Sequence, residues 1–138
     1  IKETDIVRLI SDAKQLLMRN NKNCHILHVL VDRYIIDGKE YFEFPETLYY
    51  KEFILDVSFI TINSSTVKML NRILKDCNIE LKKIVSHQYS SRFADKKYPS
   101  PCNAGKKVID GINPLEVKVH NLKAKTQGLF ERMFNFFS

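Results

Sequence analysis

The sequence predicts a mixed α+β fold, in which helices cover one face of a small sheet, followed by a flexible tail and a terminal amphipathic helix. Three observations predict this class. Apolar residues recur at helical spacing near the start, two later segments are rich in β-branched and aromatic residues, and residues 128–138 separate into an apolar and a polar face. The predicted order is helix, strand, strand, helix, strand, which suits two helices packed on one small sheet.

The length of 138 residues suits one compact domain with an appendage. We therefore divide the chain into an interaction domain over 1–92, a basic and mostly irregular linker over 93–127, and a helix over 128–138.

The first helix is predicted to begin at Thr4, a residue type favoured at helix N-caps. The apolar residues that follow recur at helical spacing. They are Ile6, Leu9, Ile10, Ala13, Leu16 and Leu17. The asparagine-rich stretch at 20–23 is expected to end this helix.

A strand is predicted over 26–38, because ILHVLVDRYIIDG is rich in β-branched residues and closes on the turn signal Asp37-Gly38. The next segment, KEYFEFPETLYYKE, is aromatic, but Pro45 interrupts it. Proline is confined to sheet edges and bulges, so this segment is expected to form an edge hairpin or an excursion.

The clearest strand signal is FILDVSFITIN over 53–63, in which apolar and polar residues alternate. Its predicted faces are Phe53, Leu55, Val57 and Phe59 on one side, and Asp56 and Ser58 on the other. NSST at 63–66 then predicts the cap of a helix. The apolar stripe of that helix is Val67, Leu70, Leu74 and Cys77. A third strand is predicted for IELKKIVS over 79–86.

The composition changes beyond Arg92, where three of the four prolines and three of the four glycines lie. Such a stretch is expected to build no core of its own. A short added strand over 115–122 is the one regular element that it suggests.

The net charge of +6 is unevenly distributed. Residues 1–92 hold 14 Lys and Arg against 12 Asp and Glu, whereas residues 93–138 hold 8 against 4.

The three cysteines are far apart in the sequence, and their spacing predicts neither a disulfide framework nor a zinc site. The chain also lacks a signal-peptide pattern and an apolar run of membrane-spanning length, so a cytoplasmic location is expected.

The residues offer little for enzyme chemistry. No two glycines lie within five positions of each other, and GKK at 105–107 lacks the first glycine of a phosphate loop, so no ATP site is expected. Ser65 and Lys68 match the S-x-x-K spacing of serine acyl-enzymes. Because the companion motifs of that chemistry are missing, a capping serine and a surface lysine are the better interpretation.

A metal site is not expected at Cys24, His25 and His28. In a strand the two histidines have opposite parity and point to opposite faces, so they do not converge on one ion. The carboxylates Asp32 and Asp37 and the later Asp56 are scattered and suit turn or solvent-facing positions. The sequence therefore predicts a protein that is not an enzyme and holds no cofactor or metal.

The terminal segment GLFERMFNFF is the strongest functional signal. With Leu129 at 0° and about 100° per residue, the apolar side chains fall between about 340° and 140°. The polar ones fall between about 180° and 300°. Basic residues beside an apolar face favour an anionic membrane surface, although docking on its own domain or pairing with a second copy are alternatives.

Residues 5–91 resemble the 1C subdomain of FtsA, the actin-like bacterial cell-division protein. The resemblance rests on DIVRLISDAKQLL, on ILHVLVDRYIIDG, and on LDVSFITINSSTVKMLNRILKDCNIELKKIV. It implies a strand-helix-strand-strand (SHS2) module that contacts other FtsA-like subunits and late division proteins. The segment KAKTQGLFERMFNFF is similar to the amphipathic helix that holds this family on the inner face of the plasma membrane.

By that likeness, apolar side chains of the terminal helix would enter the lipid, and basic ones would meet anionic headgroups. The lipid-facing residues would be Leu129, Phe130, Met133, Phe134, Phe136 and Phe137, and the headgroup-facing residues would be Arg132, Lys123 and Lys125.

The chain departs from the family where the actin-like ATPase core and the FtsZ-binding subdomain would lie. It has about 35 residues between Arg92 and Gly128, and FPETLYY at 44–50 replaces an Asn-Pro-x-Gly-Met turn. ATP is therefore expected only in a full-length FtsA, and FtsZ is a partner only if the missing subdomains are supplied.

Two rival functions remain. A basic nucleic-acid binder would interleave aromatic residues with positive charges for base stacking. The terminal phenylalanines instead gather on a face that excludes Arg132, so no nucleic-acid partner is expected. The other rival is an oligomer in which the terminal helix completes the core of a neighbour.

Overall fold

A computed structural model describes residues 3–45 and 49–117 of the chain. These residues form a three-stranded antiparallel sheet and four α-helices, which confirms the predicted α+β class. The elements in chain order are α1 (Glu3–Asn20), β1 (Cys24–Ile36), β2 (Lys39–Tyr41), β3 (Phe53–Asn63), α2 (Ser64–Asp76), α3 (His87–Ser90), a 3₁₀ turn (Ser91–Phe93) and α4 (Pro101–Ile109).

Helix α1 begins at Glu3, so Thr4 lies within it rather than at its cap. It ends at Asn20, as the asparagine-rich stretch predicts. Ile6 and Ile10, one turn apart, are buried, whereas Leu16 is 61% exposed. The reason is angular, because Leu16 lies about 80° around the helix from Ile6 and falls outside the packed stripe.

The turn between β1 and β2 is the predicted Asp-Gly turn. Asp37 and Gly38 both have positive φ, +48° and +78°, and Ile36 pairs with Lys39 across a two-residue loop. These are the features of a type I′ hairpin, whose twist matches that of the strands it joins. The predicted edge position of this segment is confirmed by β2, whereas the described residues 42–45 and 49–52 form no strand.

Strand β1 is central, in the order β2-β1-β3. Val29, Leu30 and Val31 are consecutive and all buried. Leu115–Val117 adds to this strand, since the N–H of Val31 donates to the carbonyl of Leu115 and that of Val117 donates to Val29, each over 2.9 Å. The described residues of the predicted added strand thus pair with β1.

Strand β3 follows the predicted bounds, and its apolar residues Phe53, Leu55, Val57 and Phe59 are half-buried. Ser58 is exposed, but Asp56 is half-buried because it pairs with Arg33 of β1.

Helix α2 begins where NSST predicts. Asn63 is the N-cap, and its side-chain oxygen accepts the N–H of Ser65 over 3.0 Å. Val67, Leu70 and Leu74 of the predicted stripe are half-buried, whereas Cys77 is exposed. Cys77 leaves the stripe because it is the C-cap, with non-helical backbone angles.

The predicted strand over 79–86 is wrong, because these residues form no strand. Hydrogen bonds fix both ends of the segment. The N–H of Ile79 donates to the carbonyl of Leu74, and the N–H of Ser86 donates to the side chain of His28. A strand needs a neighbouring ladder as well as β-branched residues, and the described residues supply none here.

The described part of the predicted linker, 93–117, contains helix α4. Ser100 caps it, and Pro101 occupies the first turn, where a missing N–H costs nothing. Ala104 and Val108 are each 1% exposed, so this stretch contributes to a core. The prediction that this stretch builds no core is therefore wrong. Pro101 and Gly105, which usually interrupt helices, are here compatible with a short capped helix.

The chain divides into two compact units. Unit 1 takes the described residues within 1–21, 29–58 and 115–138, and unit 2 takes those within 22–28 and 59–114. Neither unit begins or ends at residue 92, the predicted boundary of the interaction domain. The core of unit 1 includes Ile6, Ile10, Val31, Tyr34 and Ile36, and that of unit 2 includes His28, Tyr89, Ala104 and Val108.

Candidate interaction surface

All of the predicted membrane-binding residues lie outside the described residues. They are Lys123, Lys125, Leu129, Phe130, Arg132, Met133, Phe134, Phe136 and Phe137. The surface described below is therefore a separate candidate, formed by helix α2 of unit 2.

Both ends of α2 are fixed by local hydrogen bonds. Asn63 caps the first turn. At the other end Asn78 has a φ of +57°, its N–H donates to Lys75, and the N–H of Ile79 donates to Leu74. This pair of bonds is a Schellman motif, and asparagine tolerates the left-handed conformation that it needs. The motif turns the chain so that Ile79 lies beside the last turn of the helix.

No residue of α2 is buried, although the helix has three half-buried apolar residues. With Lys68 at 0°, the half-buried Val67, Leu70 and Leu74 fall between about 200° and 260°. Met69 and Ile73 fall at about 100° and 140° and are 47% and 49% exposed. The apolar stripe is thus wider than the part of it that packs.

The rest of α2 is polar and carries three basic residues, with the exposed carboxylate of Asp76 at about 80°, between the basic residues and the exposed apolar ones. Lys68, Arg72 and Lys75 fall within about 60° of one another and are exposed. None of the three makes an ion pair with another described residue. We call this set the α2 surface. It comprises Lys68, Met69, Arg72, Ile73, Lys75 and Ile79, of which Ile79 is 54% exposed.

The two units differ strongly in charge. Unit 2 holds eleven Lys and Arg against four Asp and Glu, a net +7 with neutral histidines. The described residues of unit 1 hold six against ten, a net −4. Charges counted before and after residue 92 do not show this contrast, because unit 2 is formed by two separate segments, 22–28 and 59–114. The α2 surface therefore lies on the positive unit.

A buried polar cluster in unit 2 surrounds His28. Its Nε2 accepts the N–H of Ser86 over 3.0 Å, and its ring lies 4.7 Å from that of Tyr89. The hydroxyl of Tyr89 in turn accepts the side-chain N–H of Asn113 over 3.0 Å. His28 and Tyr89 are each 1% exposed, so the cluster joins distant parts of the sequence inside the core.

The other residues near His28 do not form a metal site with it. His25 is exposed and Cys24 half-buried, and the part of the chain that the structure describes holds no group of three or more metal-ligating side chains. The sequence placed His28 on a strand, but its packing against residues 86–113 depends on contacts between segments far apart in the chain.

Ser65 is part of the cap of α2. Its hydroxyl donates to the side chain of Asn63 over 2.9 Å, and Lys68 is exposed. Asn63, rather than Ser65, is the N-cap residue itself.

The scattered carboxylates of unit 1 have separate structural partners. Arg33 donates to Glu40 over 2.6 Å and to Asp56 over 3.0 Å, and so links β1 to β2 and β3. Asp32 accepts from Ser58. Because the side chains of the Arg33 pairs are between 39% and 49% exposed, each pair contributes little to stability.

Asp37 fixes the hairpin turn to the segment before β3. One of its oxygens accepts the N–H groups of Lys51 and Glu52, over 2.9 and 2.8 Å. These bonds, that of Glu52 first, hold the pKa of the Asp37 carboxyl below its usual value.

The three cysteines are free thiols. Within the described residues, the helices are too short or too polar to cross a bilayer.

No family model, curated protein or solved structure matches the chain.

Proposed function

We propose that this protein is a non-enzymatic, FtsA-like division module, in which an α+β interaction domain is tethered to the inner face of the plasma membrane by residues 128–138. It would help to recruit or organise division proteins at the septal ring. Its partners would be an anionic membrane surface and other FtsA-like subunits or late division proteins.

The observation that carries the proposal is the division of the terminal segment into two faces. Six large apolar residues occupy about 160° of a helix, and no polar residue of 128–138 interrupts that arc. Complete burial of one such side chain contributes about 1.5–3 kcal/mol, so six half-buried ones contribute several kcal/mol. That amount suits reversible anchoring, and an assembly presenting many copies would bind more firmly.

The order of the elements also supports the proposal. α1, β1, β3 and α2 follow one another as in the segments that resemble FtsA. The final strand of that pattern, over 79–86, is missing. The proposal extends to the interaction and tethering roles. It leaves out ATP and FtsZ binding, because about 35 residues lie between Arg92 and Gly128, where the family has its ATPase core and FtsZ-binding subdomain.

Liposome flotation tests the tether. The intact chain and a variant ending at Gln127 are mixed with vesicles of phosphatidylcholine containing phosphatidylglycerol. We expect the intact chain to float and the shortened chain to remain largely below. Circular dichroism of both chains verifies that the shortened one retains its fold. Equal flotation of the two, or flotation of neither, would refute the anchor.

The nucleic-acid alternative has one observation in its favour, the net charge of +7 on unit 2. Sequence-tolerant binding of single strands also needs exposed aromatic rings for stacking. Among the described aromatic residues of unit 2, Tyr98 is exposed at 74%, whereas Phe59, Tyr89 and Phe93 are half-buried or buried. One exposed tyrosine makes a poor stacking platform, so the membrane proposal is preferred.

A further inference from the structure

We propose that the α2 surface is a second lipid-contacting site, which lies on anionic headgroups while residues 128–138 insert nearby. The inference rests on the proposed function in one respect only, because the tether would bring the rest of the chain close to the bilayer. Its contacts involve different residues and are tested separately.

The apolar part of the α2 surface suits shallow insertion. Met69 and Ile73 lie one turn apart and are about half exposed, and the Schellman motif holds Ile79 at the end of the same helix. Exposed apolar side chains beside a basic face are typical of helices that lie in the membrane interface. Since α2 is already capped and folded, binding requires no coil-to-helix transition, unlike that of an isolated ten-residue helix.

The basic part supplies the attraction. Lys68, Arg72 and Lys75 are exposed and make no ion pair with a described residue, so binding to headgroups breaks no such pair. The segment that follows adds exposed Lys83. Each basic residue near an anionic leaflet contributes about 1 kcal/mol, or about fivefold in partitioning.

A bilayer fits this surface better than a nucleic acid or an acidic protein. Phosphate contacts account for Lys68 and Arg72 but leave Met69 and Ile73 exposed. A protein partner would need a complementary apolar face, whereas a bilayer offers acyl chains below its phosphates without a specific shape. Unit 2 and the tail are both positively charged, so both are attracted to an anionic bilayer. The tail carries Lys118, Lys123 and Lys125 between the described residues and the terminal segment.

The experiment measures vesicle partitioning of the full chain and three double variants. Lys68→Glu with Arg72→Glu removes the basic part, and Met69→Ser with Ile73→Ser removes the apolar part. Arg8→Glu with Lys39→Glu is the control, since it makes the same charge change at exposed positions of unit 1. Vesicles are phosphatidylcholine alone or with 30% phosphatidylglycerol, at about 0.05 and 0.3 M salt.

We expect the basic double variant to lower partitioning onto anionic vesicles by at least about thirtyfold at low salt, since two attractions are lost and two repulsions are added, and by much less at high salt. The apolar double variant is expected to lower partitioning about tenfold on both vesicle types. The control is expected to have a small effect that salt removes. Thermal melts by circular dichroism verify that each variant is folded.

A basic variant that partitions like the control would overturn the inference. So would a basic variant that loses affinity for poly(U) RNA but none for vesicles, because the surface would then serve nucleic acid. Phe134→Glu separates the two proposals. If it has no effect while the α2 variants do, the tether fails and the α2 surface stands, and the reverse result leaves only the tether.

Discussion

The Nε2 atom of His28, a residue of the core of unit 2, accepts the backbone N–H of Ser86 over 3.0 Å. The bond joins residues 58 positions apart. It fixes the end of a segment, 79–86, that has no strand partner among the described residues. The His28 side chain thus supplies one hydrogen-bond acceptor of the kind that a neighbouring strand would supply.

We expect His28→Phe to lower the free energy of unfolding by about 1–3 kcal/mol. Phenylalanine retains a ring beside Tyr89 but offers no acceptor, so the part-buried N–H of Ser86 loses its bond. Urea unfolding measures the effect. His25→Phe, at an exposed position of the same strand, is the control, and an equally small change in both variants would contradict the role of this bond.

Asp37 is expected to make stability depend on pH in the acid range. Its pKa in the folded protein lies below the ordinary value of 3.8, because backbone N–H groups bind the ionised form. The stabilisation is therefore present above the unfolded pKa and is lost as the pH falls through the folded pKa. In Asp37→Asn the melting temperature should vary less between about pH 5 and pH 2.

The exposed carboxyl of Asp110 provides the control for this measurement. Asp110→Asn makes the same charge change at an exposed residue outside the hairpin turn, and should retain the wild-type pH profile. Equal flattening of both profiles would mean that general charge repulsion, rather than the turn, governs the acid range.

Two glycines are expected to respond oppositely to alanine. Gly38 has a φ of +78°, so Gly38→Ala should destabilise the protein by about 1–2 kcal/mol. Gly105 lies within helix α4, and Gly105→Ala should stabilise it by about 0.5–1 kcal/mol. An added Cβ meets nothing within 4 Å at either position, so thermal melts compare backbone effects alone. A stabilising Gly38→Ala would contradict the type I′ turn.

Helix α4 is expected to be part of the core rather than a linker. Val108 is 1% exposed and its neighbour Ile109 is 48% exposed. Val108→Ala should lower the free energy of unfolding by about 1–3 kcal/mol, because it leaves a cavity. Ile109→Ala removes more atoms but should cost less. The opposite order in urea unfolding would show that this segment does not pack as described.

Phe134 is expected to be essential for membrane binding under the proposed function. Phe134→Glu places a charge within the apolar arc, at about 140°, and should abolish flotation with anionic vesicles, while the circular dichroism of the domain stays almost unchanged. Asn135→Glu adds the same charge to the polar face and is the matched control. Unchanged flotation of Phe134→Glu would contradict insertion of this face.

The sequence by itself determined the elements that depend on neighbouring residues. The periodicity of α1 and β3, the Asp37-Gly38 turn and the cap at Asn63 are local features, because each follows from backbone preferences and spacing within about ten positions. Periodicity likewise predicts the two faces of residues 128–138, which lie outside the described residues.

Only the tertiary structure decided what depends on a distant partner. IELKKIVS has the composition of a strand but no ladder among the described residues, whereas the stretch around Pro101 and Gly105 packs as α4. The acceptor for Ser86 comes from His28, and the charges separate into a positive and a negative unit only when the chain is folded. Burial, pairing and net surface charge are sums over contacts between remote segments, which a local pattern does not contain.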